Sequence, residues 1–450
     1  MATKDNSSFL FIPTHRDCSP VLPTLFAEAR YAAQREKQAI VCVIEHNLSE
    51  DLSDKHKQIL LRLQQESGIR TLQMTGAKRR VFVDHTLSRL PPSLGADHDR
   101  LRSILLPAGI SYGSGPDLAF LLAINLGCDF VHRRDSDVYL DEHRPDALPI
   151  ELELGAIGKS IKDLKLVAEP PEGVLEKRDT RVRLVGTSTF GALTLDRRDL
   201  FAAGEEYAVA FQQLGRPGVE RHIVREEAVS YLQEEPSTRY DTDFYELDED
   251  GRVEMEACCF WEAFRFLPEM TTDIMGCDYM IKDALWQAGL LSIFHSRKLR
   301  HRYEQARADQ TDLDFAVNYS LRDVQYIQIG RIWQEQARII RDGSRPLFDD
   351  TGFHADVYAE AFDAASERCG AVLEEVRKGA QSVYESAAAA ASGPLASRLR
   401  AVAEALEKAG TGLDRHVVEA VSDFTFLVRA WPSLISAAEG SQMLSDADFI

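Results

Sequence analysis

The chain reads as an α/β protein: a doubly wound, Rossmann-like mixed sheet with helices on both faces, followed by a C-terminal α-helical region. Three observations predict this. Short apolar strands alternate with amphipathic helices from Phe9 onward, the pattern of βαβ units. The run Ala39 to Ile44 (A-I-V-C-V-I) is continuously apolar, as a parallel strand buried on both faces must be. Beyond about Gln310 the spacing becomes helical, with no repeat period and no sustained heptad. The 450 residues therefore divide into a larger unit, 1–310, and a helical region, 311–450.

Taken in order, Phe9 to Ile12 form the first strand, ending at P-T-H-R-D. A helix follows from about Val21 to Gln38, its apolar face at Leu22, Leu25, Phe26, Ala29 and Ala32. Ala39 to Ile44 are the second strand, leaving through Glu45-His46-Asn47; residues 52–67 form a helix and Thr71 to Met74 a third strand. This βαβαβ start predicts a right-handed, doubly wound unit.

The most informative stretch is Tyr112 to Asp141. Gly113-Ser114-Gly115-Pro116 make a turn, and Asp117 stands at the start of a helix as an N-cap or first-turn acid. Leu118, Leu121, Leu122 and Leu126 follow at helical spacing, and Gly127 closes the helix. Phe130 and Val131 form a strand core, which leaves through H-R-R-D-S-D. Ligands in open α/β sheets sit outside the carboxyl ends of the strands. In extended backbone Asp135 and Asp137 point to one side and converge. Paired carboxylates repel unless a cation neutralises them, and a hard divalent ion does so while keeping positions for water and phosphate oxygens. A solvated polar turn gives the same three letters; the strand before them and the glycine turn and helix before that favour a site.

This order of turn, helix, "G-C-D-F-V" strand and "R-R-D-S-D" resembles the nucleotide-diphospho-sugar half of GT-A fold glycosyltransferases, in layout more than in individual letters. The resemblance implies a GT-A-like catalytic domain with a donor half, about 1–145, and an acceptor half, about 146–310. It implies a manganese or magnesium ion on the donor diphosphate, held by Asp135 and Asp137. It implies that the end of the first strand (Pro13, Thr14, Arg16) and Glu45 bracket the base and ribose. Gly113 and Asp117 join the donor site, and Arg134 joins it as a guanidinium partner for phosphate. Arg133 or Arg134 could equally pair with Asp135, and Lys78 to Arg80 serve as well on a solvated face.

Further on, Arg181 to Leu195 read as strand, glycine bend and strand, the place where such folds line the acceptor pocket. Met270 to Gly289 reads as a helix, Leu290 to Phe294 as a strand, and S-R-K-L-R-H-R-Y as a basic run. The resemblance implies a helix-borne acid near the acceptor, for which Asp278 is the candidate and Asp273 its rival. It also implies a histidine as an additional metal ligand, for which His295 is the candidate and His301 its rival. Imidazole suits manganese better than magnesium.

Composition bounds the rest. A net charge of −20 repels nucleic acid and anionic lipid. No apolar run approaches membrane-spanning length, and the start MATKDNSS lacks a basic n-region. Seven cysteines, an odd number without C-x-x-C spacing, fit a reducing cytoplasm. The expectation is a cytoplasmic, metal-dependent glycosyltransferase using a UDP- or GDP-sugar and an unspecified acceptor. The helical region would cap the acceptor side, pack on the catalytic domain or make a homodimer. A sugar-nucleotide nucleotidyltransferase would carry a glycine-rich basic loop where P-T-H-R-D-C-S-P stands; a non-catalytic nucleotide-binding protein is the remaining alternative.

Overall fold

β1 (Ser7–Thr14), β2 (Gln38–Glu45) and β3 (Arg70–Met74) run parallel, joined through α1 (Leu22–Ala33) and α2 (Glu50–Ser67). These coordinates are a computed structural model and describe residues 6–169, 180–191, 197–230, 242–249, 251–302, 313–440, 443–444 and 448–450. After α3 (Gly76–Ser88), α4 (His98–Leu105) and α5 (Ser114–Asn125), β4 (Phe130–Arg134) pairs in parallel on the other side of β1. The winding direction therefore reverses between β1 and β4, which is the topological switch point of the sheet.

The sheet then turns mixed. β5 (Val138–Tyr139), α6 (Pro149–Ala156), β6 (Val182–Gly186) and β7 (Thr189–Gly191) come next in the chain. Three helices follow, α7 (Arg198–Ala203), α8 (Glu205–Gly215) and α9 (Arg221–Ser230), before β8 (Tyr245–Leu247) and β9 (Ala257–Trp261). α10 (Ala263–Phe266), α11 (Met280–Gln287), β10 (Leu291–His295) and β11 (Leu299–His301) complete the α/β part. The main sheet has the order β3-β2-β1-β4-β9-β6-β10-β8, with β9 antiparallel to both neighbours. A small sheet, β5-β11-β7, stands at the carboxyl end of β4.

Strand alternation sends Leu10, Ile12, Val41 and Val43 to one face, under α1, α2 and α6, with Leu25, Phe26, Leu60 and Ile150. Phe9, Phe11, Ile40 and Cys42 go to the other face with Phe82, Leu101, Leu118 and Phe120 from α3, α4 and α5. Local signals set the helix ends: Ser49 caps α2 by accepting from the Leu52 amide, and Gly68 closes it at φ 71°. Gly127, at φ 67°, ends α5 in the same left-handed way.

The last third is helical, as expected: α12 (Leu313–Asp342), α13 (Ala355–Ala390), α14 (Gly393–Ala409) and α15 (Thr411–Glu439). α15 is not merely appended, because Leu427, Trp431 and Leu434 enter the same core cluster as Phe9 and Phe120. Burying an aromatic or leucine side chain contributes about 1.5–3 kcal/mol, so α15 is part of what holds that sheet face together. No helix among the described residues is long and apolar enough to cross a membrane.

Two expected elements change shape. The segment expected to be helical from Met270 is irregular until a 3-10 turn, Cys277–Tyr279, and only then becomes α11. Of the second strand expected up to Leu195, only Thr189–Gly191 is seen, since residues 192–196 lie outside the described residues, as does Tyr303 at the end of the basic run.

Candidate active site

β4 ends at Arg134, and the chain turns at once, the Val138 amide donating to the Asp135 carbonyl at 3.3 Å. Asp135 and Asp137 therefore sit on a tight turn rather than on extended backbone, and each is steadied by different partners. Asp135 receives the Nε and Nη2 of Arg133 at 2.9 and 3.3 Å. Asp137 accepts from Arg16 Nη1 at 3.0 Å, and His301 Nε2 lies 3.4 Å from the same oxygen. Against the cost of burial, His301 and Arg16 hold the Asp137 carboxyl down at about 2.

Arg133 is the hub. Its Nη1 faces Glu269 at 3.2 Å and its Nη2 donates to Asp278 at 3.1 Å. The guanidinium is buried, so it needs carboxylates around it. It has more than it needs: burial pushes Asp278 and Glu269 upward, and repulsion from Asp135 adds to the push on both. Asp278 thus joins the cluster from the 3-10 turn ahead of α11, not from the helix expected to carry it. Gly276, at φ 72°, makes that turn. Its rival Asp273 lies elsewhere, accepting from His416 at 2.8 Å.

Glu256 completes the cluster, and the sequence reading missed it. It directly precedes β9, and its carbonyl accepts the Asp135 amide at 3.1 Å. Its Oε2 is inaccessible and has no hydrogen-bond partner. Burial, with Asp135, Asp137 and Asp278 nearby, pushes its carboxyl up to about 7 even though His301 opposes the shift. The antiparallel pairing of β9 with β4 brings it there, and no local motif announces that pairing.

Several expected site residues are engaged by the protein itself. Arg134, one residue from Arg133, points to the opposite sheet face. There it makes a fork with Glu28 at 2.8 and 3.0 Å and an ion pair with Glu153 at 2.9 Å, so it is a buried structural arginine rather than a phosphate ligand. Glu45 has its acceptor capacity taken by Ser53 (2.5 Å), Gln73 (2.7 Å) and His56 (3.1 Å), leaving little for a base. Asp117 accepts the Glu269 amide at 2.7 Å and the Thr271 hydroxyl at 3.1 Å; it is a buried clamp on the loop carrying Glu269. Burial pushes its carboxyl well up.

Gly113 and Pro13 serve packing. A Cβ at Gly113 would stand 2.5 Å from the Met270 carbonyl, and one at Gly115 would stand 2.8 Å from Pro13 Cβ. This close approach brings the start of α5 against both the end of β1 and the 270–272 loop. Thr14 binds Arg16, its hydroxyl donating to the Arg16 carbonyl at 2.7 Å and accepting the Arg16 amide at 3.1 Å. That fixes the turn from which Arg16 reaches Asp137, and Arg16 Nε is left buried without a partner.

His295 is not beside Asp137. Its Nε2 lies 4.0 Å from Glu153 Oε1, too long for a hydrogen bond, and its rival His301 is the histidine next to Asp137. Reversal of side-chain direction along β10 sends His295 to the Arg134 side of the sheet. The basic run is also committed: Arg297 to Asp243 and Glu151, and Arg300 and Arg302 to Glu142.

Two donor sets could take a metal. Asp135, Asp137 and Glu256 offer hard oxygens, with His301 beside them and an orphaned buried oxygen on Glu256, which suits manganese or magnesium. Their donor atoms are not gathered into a tight group. Among the described residues the group that is gathered, within 4.8 Å, is His132, Glu153 and Cys259, all buried. The imidazole nitrogens are already occupied: His132 Nδ1 meets Glu153 at 2.6 Å and His132 Nε2 meets the Ser8 hydroxyl at 3.2 Å. Arg134 pairs with Glu153 at 2.9 Å, while Glu153 Oε1 and the facing His295 Nε2 stay buried without a hydrogen-bond partner among the described residues.

A family model described as "Family of unknown function (DUF6271)" matches residues 7–447. No curated protein matches the chain. Among solved structures the chain is similar to the mannosyltransferase PcManGT from Pyrobaculum calidifontis, solved in complex with GDP-Man and Mn2+. That likeness has 13% identity and a TM-score of 0.36 and covers 98% of this chain and 88% of that one.

Proposed function

The chain belongs to the DUF6271 family of unknown function, and from its carboxylate cluster at the switch point we propose that it is a glycosyltransferase acting on a nucleotide-diphosphate sugar. The observation that carries this reading is the bridge across the switch point. Arg16, from the end of β1, meets Asp137, from the end of β4, where open α/β sheets take their ligands. Around that bridge stand Asp135, Glu256, Glu269 and Asp278, with Arg16, Arg133 and His301 opposing them among the described residues. Carboxylates crowded so that several are pushed toward protonation favour a cation as their complement.

Asp135, Asp137, Glu256 and His301 would hold a divalent ion. When bound, it supplies electrostatic stabilisation to a diphosphate leaving group. Arg16 orients the donor through the exposed part of its guanidinium while Nη1 keeps Asp137 in place. Asp278 or Glu256 receives the acceptor's proton if the anomeric centre inverts, their raised proton affinities fitting that task. Arg133 fixes Asp278 in position. In a retaining reaction the same two carboxyls would orient the sugar instead.

The test is a thermal-shift panel of uridine, guanosine and thymidine diphosphates, each with and without manganese, followed by assay of UDP- and GDP-sugar hydrolysis. Stabilisation that requires both nucleotide and metal, and that disappears in Asp137→Ala, supports the reading. Metal-dependent sugar release distinguishes a transferase from a protein that only binds nucleotides. No nucleotide shift under any condition removes the proposal.

A further inference from the structure

A cavity of about 330 Å³ lies between α8, α11 and α12, and the chemistry above does not use it. Its volume falls in the range of small-molecule sites. Asp283, on α11, lines it and has no hydrogen-bond or ion-pair partner among the described residues. Burial pushes that carboxyl up to about 6, opposed only by Lys282. Lys282 itself is turned away, its Nζ donating to the carbonyls of Gly251 and Val253 at 2.8 Å each.

The cations on the lining are neutralised. Arg197 is held by Asp323 through two hydrogen bonds of 2.9 and 2.8 Å, and Arg216 donates to Glu227 at 3.2 Å. Tyr326 and Trp333 supply aromatic surface. The cavity thus combines one uncompensated carboxylate and two aromatic side chains. Burying an unpaired carboxylate costs stability unless a ligand answers it.

We infer that this cavity binds a small primary amine. Its ammonium pairs with Asp283 beside the rings of Tyr326 and Trp333. This assignment is independent of the reaction proposed at the carboxylate cluster. The two sites nevertheless share an element. Tyr326 packs on Gly276, where an added Cβ would stand 2.6 Å from the tyrosine ring, and Gly276 starts the turn that carries Asp278.

The test is calorimetric titration of the full chain with glucosamine and 2-phenylethylamine against their uncharged counterparts, glucose and 2-phenylethanol. The expected result is that at least one amine binds and its uncharged counterpart is weaker by about tenfold or more. Asp283→Asn should erase that difference without lowering the melting temperature, because it removes an unpaired charge. Absence of heat with both amines overturns the inference, as does equal affinity for amine and neutral analogue; neither result depends on a variant that folds. An unchanged preference for amine in folded Asp283→Asn also overturns it.

Discussion

Arg16 Nη1 donates to Asp137 Oδ2 at 3.0 Å, tying the end of β1 to the turn after β4. The consequence is a pH dependence with a defined sign. With His301, Arg16 outweighs the cost of burial and holds the Asp137 carboxyl at about 2, below its ordinary 3.8. A depressed carboxylate stabilises the fold above its unfolded value and loses that contribution as pH falls through the folded one. The loss should fall between about pH 4 and pH 2 and amount to roughly 2 kcal/mol. Arg16→Ala should move the acid unfolding limb to higher pH and weaken nucleoside-diphosphate binding by about tenfold. Melting temperature against pH and a nucleotide titration read the two effects separately.

Glu256 behaves in the opposite sense. Its carboxyl is pushed up to about 7 from an ordinary 4.5, so between those values the folded chain binds more protons than the unfolded one. Stability from this group therefore declines as pH rises through that window, by roughly 3 kcal/mol in full. Glu256→Gln is expected to raise the melting temperature at pH 8 and to change it little at pH 4.5. Manganese should raise the wild-type melting temperature at pH 8 more than that of Glu256→Gln. An equal metal response from both proteins would remove Glu256 from the cation site.

The contrast between Glu256 and Asp137 shows what the sequence could disclose. Asp135 and Asp137 were legible because a glycine turn, a helix and an apolar strand precede them in one continuous stretch. The alternation of strands and helices up to β4 was legible for the same reason: parallel strands buried on both faces leave long apolar runs. Glu256 and Glu269 were not, since they arrive through an antiparallel strand and a loop more than a hundred residues further on, with no motif of their own. His301 and His295 looked alike in the chain. Register along β10 and β11 separated them, and register is set by long-range pairing. Arg133 and Arg134 were likewise equal candidates until strand alternation sent one to the site and the other to Glu28.

Arg134 supplies a test of that division. It is buried between Glu28 and Glu153, and removing it would leave two carboxylates unpaired in the interior. Arg134→Ala should destabilise the chain by about 3–5 kcal/mol, read as a shift in the urea midpoint. Arg134→Met, which refills the space but still strands the acids, should be only partly better. A phosphate-binding role predicts otherwise: near-normal stability with weakened nucleotide binding.

Asp117 is expected to act through structure in the same way. Its carboxylate clamps the Glu269 amide and the Thr271 hydroxyl, so Asp117→Ala leaves a buried N–H unmet and should cost about 1–3 kcal/mol. Asp117→Asn keeps one acceptor and should cost less. Because the clamped loop carries Glu269, which faces Arg133, both variants should lower turnover more than nucleotide affinity. A selective loss of nucleotide affinity at unchanged stability would instead return Asp117 to the donor site.

Asp278 and Glu256 are the two carboxyls proposed as proton acceptors, and their variants should fail differently. Asp278 is one of three carboxylates on Arg133, so its removal leaves the guanidinium with Asp135 and Glu269 and the cluster intact. Asp278→Ala should therefore retain metal-dependent nucleotide binding while transfer falls by about 10²–10⁴-fold, the range for loss of a general base. The nucleotide shift and the rate must be measured on the same preparation, since unfolding would lower both. Undiminished turnover in Asp278→Ala would reject it as the base and shift the role to Glu256, whose glutamine variant should then lose transfer at every pH while still binding nucleotide.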